Sequence, residues 1–384
     1  MKRLALFAAA ALAVIANQAQ AKRLVDCPLR DLPFSSASPL MDILLSPAAS
    51  AALDSVQPGM TKGMPPSFAS KTPPSFAAIL TVREAAGLGA RYARNPADAK
   101  MPDLTRIDAA LAAVPVTDAD RIARCARYDT ATPRFAMPAG RPRVLLFEKI
   151  NGFKDTPSVD GAHAAFVAMA ERKGWAMVVS DQGSMFSPAA LNRFDVVIWN
   201  NISGDVLTLS QRRAFQRWME RGGGFVGVHG SAGDPVYFWD WYVDMLIGAR
   251  FAGHPMNPQF QDATLRLDDK AHPAAAGLPV QWEMNDEWYS FKTNPRAGGA
   301  RVIATIDEAS YRPDGMAGQN LRMGADHPIA WSKCVGPNGR GGRSFYSAIG
   351  HRPERYGDAI YVQMLEQAVA WAGNRAASEC RAAR

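Results

Sequence analysis

From Arg143 onward, short β-branched apolar runs alternate with amphipathic stretches at the spacing of βα units, an order that few folds accommodate. It predicts an α/β architecture, a parallel sheet covered by helices on both faces. Val144 to Glu148 reads as the first strand, Gly161 to Lys173 as a helix, Trp175 to Ser180 as the second strand and Asp195 to Trp199 as the third. Ser210 to Met219 reads as a helix capped by Ser210 and stopped by Gly222-Gly223-Gly224, and Phe225 to Val228 follows as the fourth strand. A helix is expected around Pro235 to Leu246, with Trp239 and Trp241 as core packing. Later strands are expected at Gln259 to Leu267, Arg301 to Ile306, Pro328 to Ser332 and Ser344 to Ala348, and a closing helix at Asp358 to Ala372. The glycine-rich Gly336 to Gly342 precedes a strand and no helix, so it reads as a hairpin loop and not a phosphate cradle.

The chain before this region has a different character. Lys2 and Arg3, an apolar run from Leu4 to Ala16 and then Ala19-Gln20-Ala21 have the layout of a secretory leader cleaved after Ala21. The apolar run is shorter than the ~20 residues a spanning helix needs, so no membrane insertion is expected after cleavage. Residues 22–140 read as a helical, Pro-rich extension, 141–374 as the α/β domain and 375–384 as a tail. Within the extension, helices are expected at Pro39 to Leu45 behind Ser38, from Ser46-Pro47 to Gln57, at Leu80 to Arg94, at Asp103 to Ala113 and at Asp118 to Tyr128. The segment Pro65-Pro66-Ser67-Phe68-Ala69 recurs as Pro73-Pro74-Ser75-Phe76-Ala77, a local duplication expected to pack its two Phe rings in a loop.

Lys and Arg number 43 against 36 Asp and Glu, scattered without runs, which argues against nucleic acid as a partner. Four cysteines in an exported chain allow three disulfide connectivities. Cys27 with Cys125 and Cys334 with Cys380 is favoured, because each pair brackets one region and ties down a terminus. No CxxC spacing occurs, which argues against a zinc ribbon.

In open parallel sheets ligands sit at the carboxyl ends of the strands, and three features fall there. Gly227-Val228-His229-Gly230-Ser231 has the spacing of a nucleophile elbow with His229 in the central place, so a conventional acyl-enzyme mechanism lacks its nucleophile. Five of the six histidines, His229, His254, His272, His327 and His351, follow turns or strand ends. Each alone reads as a loop residue bonded to main chain, and His229, His254 and His351 stand out because adjacent glycines permit close ligand approach. Asn285-Asp286-Glu287-Trp288-Tyr289 carries paired carboxylates, suited to acid/base work or metal binding, beside aromatics suited to stacking on a sugar. Neighbours in a strand point to opposite faces, so only one carboxylate reaches a given ligand, and Glu287 is favoured.

Together with His327-Pro328-Ile329-Ala330-Trp331, Gly342-Arg343-Ser344-Phe345-Tyr346 and Gly350-His351, these motifs resemble the trehalose-utilisation (ThuA-like) family over about Arg143 to Ala372. The resemblance implies a flavodoxin-like variant of the class I glutamine amidotransferase-like fold, in which His229 replaces the nucleophilic Cys, and a carbohydrate-related role. The family's Gly-Phe-Arg-His turn reads here Gly152-Phe153-Lys154-Asp155, with Asp155 where a His is expected. The resulting expectation is a periplasmic or secreted enzyme, a hydrolase, lyase or isomerase, acting on a sugar or glycoside derivative such as a keto-sugar. Its chemistry would be acid/base, with or without a divalent metal such as zinc. His229, Glu287 and His254 are the expected catalytic residues and the candidate metal ligands; Asp155, Asp286, Tyr289, His327, Arg343 and His351 are the expected substrate-binding rim. A non-catalytic carbohydrate-binding protein and a serine hydrolase using Ser231 are the alternatives, and homo-oligomerisation stays open.

Overall fold

The computed structural model describes residues 24–61, 64–91, 102–336, 341–374 and 380. The segment expected to be a leader and most of the tail lie outside the described residues, as do the tip of the Gly336 to Gly342 loop and the last residues of the helix expected at Leu80 to Arg94.

Nine strands form one sheet in the order β2-β1-β3-β4-β11-β10-β9-β6-β7. Here β1 is Arg143–Phe147, β2 Ala176–Ser180, β3 Val196–Asn200, β4 Gly224–Val228, β6 Phe260–Leu267, β7 Gln281–Glu287, β9 Arg301–Ile306, β10 Pro328–Val335 and β11 Gly342–Ser347. A second small sheet pairs β5 (Phe251–Gly253) with β8 (Ser290–Phe291). The first five strands of the large sheet are parallel, in the flavodoxin-like order. The other four are antiparallel, so the sheet is mixed where the sequence pattern suggests a parallel one. Chain length explains the difference: the few residues between β10 and β11 can close a hairpin but not a crossover.

Strands β3, β4 and β11 are buried along their whole length, and β3 and β4 accordingly read as near-continuous apolar runs. The core continues through a ring cluster in which Trp199 stacks on Tyr242 at 4.8 Å and Phe215 meets Phe186 edge-on at 5.1 Å. Trp239 and Trp241 stack on each other at 5.4 Å against this cluster, as expected. The segment expected to be helical around Pro235 forms only a π-helical turn, Trp241–Ile247.

Two helix starts differ from expectation. The helix expected from Gly161 begins at Thr156, because the Asp155 side chain accepts the Ser158 N–H and Pro157 sits in the first turn. The helix Leu209–Glu220 is capped by Thr208, which forms a reciprocal capping box with Gln211; Ser210 instead turns its N–H to Asp26. That contact docks the extension on the domain, and the Asp26 carboxylate also complements the helix dipole.

The extension has a core of its own around Phe34, Leu40, Ile43, Leu53, Val82, Ile107 and Leu111. Ser46 caps the helix Pro47–Val56 as expected, whereas Ser38 accepts the Ser35 N–H and caps nothing. The duplicated Phe68 and Phe76 rings stack at 4.6 Å. Both favoured disulfides form, Cys27 to Cys125 and Cys334 to Cys380. Among the described residues no helix is long and apolar enough to cross a membrane.

Candidate metal centre

The turn after β4 places His229 at φ +36°, a left-handed conformation that costs a non-glycine residue on the order of 1–3 kcal/mol. The surroundings hold it there: Tyr346 donates its hydroxyl to the His229 carbonyl at 2.8 Å, and Tyr289 packs on the imidazole with ring centroids 4.2 Å apart. The ring's Nδ1 donates to the Ala348 carbonyl at 2.8 Å, which leaves Nε2 as the lone-pair nitrogen. It faces His351 Nδ1 at 3.1 Å and Glu287 Oε2 at 3.4 Å, while His351 Nδ1 and Glu287 Oε2 are themselves 3.1 Å apart.

These separations match a metal centre. A tetrahedral zinc with ligands at about 2.0–2.1 Å has ligand–ligand edges of about 3.4 Å. The three atoms belong to the one group of metal-ligating side chains with this spacing among the described residues. The outer contacts fit as well, since zinc-bound imidazoles hand their second nitrogen to a carbonyl or carboxylate. His229 does so to Ala348, and His351 turns Nε2 toward Asp155 Oδ2 at 3.7 Å. Glu287 keeps one oxygen for the centre and accepts Gln259 Nε2 at 2.5 Å on the other, where His254 Nδ1 also lies at 3.1 Å. Two histidines and a carboxylate leave a fourth position open, as catalytic zinc sites do.

Electrostatics hold the cluster charged. Burial works against the Glu287 carboxylate, yet the three imidazoles clustered on it, His229, His351 and His254, keep it far below the ordinary carboxylate range. Burial likewise opposes protonation of His351, and its bond to Glu287 outweighs it, so its pKa is raised.

A family model described as trehalose utilisation, ThuA, matches residues 143–372. The chain belongs to the ThuA family. A ThuA-like protein from Bacteroides uniformis is similar at 25% identity and a TM-score of 0.51, over 62% of this chain and 94% of that one. A second, from Parabacteroides merdae, shares 19% identity at a TM-score of 0.44, over 60% and 90%. The glutaminase domain of CTPS from Trypanosoma brucei, solved with acivicin, shares 10% at 0.36, over 60% and 94%. No curated protein matches the chain.

Within this ThuA-family domain the site gathers loops from four strands. Asp155 follows β1, His229 follows β4, Glu287 ends β7 and His351 follows β11. The antiparallel half curls back so that β7, last in the sheet, reaches the carboxyl ends of the parallel strands. Asp286 fixes that meeting: its fully buried carboxylate accepts the N–H of Gly350 at 2.6 Å and of Arg352 at 3.0 Å, the residues flanking His351. The pleat thus divides the acidic pair as expected, and the Asp286 carboxylate is taken up by backbone N–H groups.

Other expected rim residues also change role. His351, and not His254, shares the candidate ligand cluster with His229 and Glu287; His254 lies against the other Glu287 oxygen and is itself 25% exposed, with its Nδ1 also 2.9 Å from the Pro255 carbonyl. Tyr289 is buried as packing for His229, and His327, fully buried, bridges Glu308 and the Tyr289 carbonyl. Arg343 pairs level with Gly224 at the amino ends of β11 and β4, the edge of the sheet opposite His229, and lies over the Trp371 ring. His272 is a loop residue bonded to main chain, accepting the Ala274 N–H. Two contributors escaped the sequence reading: Gln259, and Asn201, whose Oδ1 accepts the Gly230 N–H at 3.0 Å. An elbow enzyme uses the N–H after its nucleophile as an oxyanion donor, and here that donor is occupied.

Ser231 is buried, donates its hydroxyl to the Trp199 carbonyl at 2.9 Å and accepts the Ile202 N–H at 3.2 Å. No base faces it among its bonded partners. Ser231→Ala should therefore keep turnover within about twofold and lower stability by about 1 kcal/mol, read by steady-state kinetics and urea unfolding. Loss of activity with an unchanged fold would restore Ser231 as a nucleophile.

Proposed function

We propose that this chain is an exported enzyme that acts on a sugar or glycoside derivative, such as a keto-sugar, at a divalent metal centre of His229, His351 and Glu287. The observation that carries this reading is the convergence of three ligand atoms at 3.1, 3.1 and 3.4 Å from segments remote in sequence. Membership of a trehalose-utilisation family supports the sugar. Export is supported by the leader-like first 21 residues and by two disulfides, which persist in oxidising compartments.

A zinc ion held there would supply Lewis acidity toward a sugar carbonyl or hydroxyl oxygen. The chain's own residues do the rest. Ala348 and Asp155 orient the two imidazoles, and Gln259 fixes the Glu287 rotamer. His254 is the acid/base: its Nδ1 is turned to Glu287 and the Pro255 carbonyl, so Nε2 is the nitrogen left to exchange a proton with substrate. The left-handed strain at His229 and a nearly buried charged cluster are costs that a pre-organised catalytic site explains.

The test is elemental analysis of the purified protein with turnover of a panel of glycosides and keto-sugars before and after chelation. One zinc per chain and loss of turnover on chelation are expected. Undiminished turnover by metal-free protein would overturn the metal centre, and zinc-loaded protein that binds these sugars without forming product would overturn the enzyme.

A further inference from the structure

A groove of about 500 Å³ lies beside the metal centre, where the carboxyl ends of β1 and β2 meet the extension. Lys149 and Lys154 from the loop after β1, and Asp181 and Gln182 after β2, form one side; Pro74, Asp129 and Ala131 of the extension form the other. Its volume is in the range of ligand sites, about 300–1,000 Å³. It sits on the same edge of the sheet as the centre, and the chain joins the two directly: Lys154 lines the groove, and the next residue, Asp155, faces His351 Nε2 at 3.7 Å.

The wall is built, not incidental. Asp129 accepts the N–H groups of Gly183 at 3.0 Å and Ser184 at 2.8 Å and pairs with Lys149, so extension and domain are locked across the groove floor. Next in sequence to the lining residues Pro74, Ile150 and Lys154, the Ser75 N–H donates to the Asn151 carbonyl at 3.1 Å, and Phe76 stacks on Phe153 at 4.9 Å, leaving Phe153 41% exposed. An ammonium, a carboxylate and an amide, the side chains of Lys154, Asp181 and Gln182, stand exposed on the domain side, none with a partner among the described residues. Mixed donors and acceptors with no excess of positive charge suit neutral hydroxyls and not phosphate, and an exposed phenyl ring suits the C–H face of a pyranose.

We infer that this groove is a subsite for a second sugar ring of the substrate, and that the extension, which precedes the family-matched residues 143–372, sets the enzyme's specificity by forming its outer wall. The inference rests on the sugar-directed reading above, and the test separates the two. Zinc-loaded full-length protein is titrated calorimetrically with trehalose, maltose, cellobiose and methyl glucoside. At least one disaccharide should bind about tenfold tighter than methyl glucoside, and Ala131→Trp, which fills the groove from an exposed position, should abolish that advantage. Gln182→Trp fills it from the opposite wall and should do the same if Ala131→Trp fails to fold. Zinc stoichiometry and affinity for methyl glucoside should be unchanged in both variants. Equal affinity for disaccharides and methyl glucoside, or a preference that survives both tryptophans, overturns the subsite while leaving the metal centre standing. Absence of zinc binding with an intact disaccharide preference overturns the centre and supports the subsite.

Discussion

In Glu287→Gln, zinc affinity should fall at least about 100-fold and turnover should fall below the limit of detection, with the fold retained. The substitution keeps shape and one hydrogen-bond acceptor but removes the sole anionic ligand. Its effect should exceed that of either histidine's outer contacts, because both of its oxygens are in use: Oε2 lies 3.1 Å from His351 Nδ1 and Oε1 2.5 Å from Gln259 Nε2. Removing one partner from a buried charged cluster also costs stability, about 3–5 kcal/mol where the remaining charge has no other partner. Here His351 retains Asp155 at 3.7 Å, so the loss should fall at or below the lower end. Inductively coupled plasma analysis, zinc competition titration and urea unfolding read the three effects separately. Full zinc occupancy in Glu287→Gln would remove the carboxylate from the ligand set.

What could be read from the sequence divides along a physical line. Strands such as β3 and β4 were legible because burial on both faces demands an unbroken apolar run, and that demand is local. That Asp286 and Glu287 face opposite ways was legible from the alternation of neighbouring residues, but the use of Asp286 as a backbone acceptor was not. Strand β7 was missed although Trp282 and Met284 alternate with exposed neighbours, because the signal was short and ran into an acidic pair that drew attention to chemistry. The choice of His351 over His254 was not legible at all. Both histidines follow a glycine, and only the curl of the antiparallel half, which brings β7 to the turn 122 residues beyond His229, decides between them. Arg343 was misplaced for a related reason: its strand was recognised but the residue begins β11, whereas the site lies beyond that strand's far end. Thr208 displaced Ser210 as a cap because Asp26, from a distant segment, claims the Ser210 N–H. Local periodicity carries the elements; which of their ends meet is a property of the assembled sheet.

Stability should fall as pH rises from about 4 to about 7, and Asp234→Asn should remove most of that slope. Asp234 is buried behind the site with few compensating charges. Burial pushes its carboxyl up to about 7, against hydrogen bonds from Ser203 and Gly204, and the charge of Asp205 adds to the rise. Arg212, a cation lining the small cavity beside it, is already paired with Asp205 at 2.7 Å. A carboxyl raised on folding binds its proton more tightly in the native state, so its contribution is most favourable below the unfolded value of 3.8 and declines until the folded value is passed. The full decline is on the order of 4 kcal/mol, since each tenfold gain in proton affinity on folding is worth about 1.4 kcal/mol. The consequence reaches the site, because Ser203 donates to Asp234 at 2.5 Å while accepting the Phe153 N–H at 2.9 Å, and its carbonyl accepts the N–H of Asn151 and Gly152. That loop carries Asp155. Urea unfolding of both proteins at pH 4, 5, 6, 7 and 8 should give curves that converge near pH 4 and diverge by on the order of 4 kcal/mol at pH 8, with Asp234→Asn the more stable. Parallel curves across that range would show that Asp234 is ionised in the folded protein, and the buried relay from Asp234 through Ser203 to the Asp155 loop would then be charged at every pH at which the protein is stable.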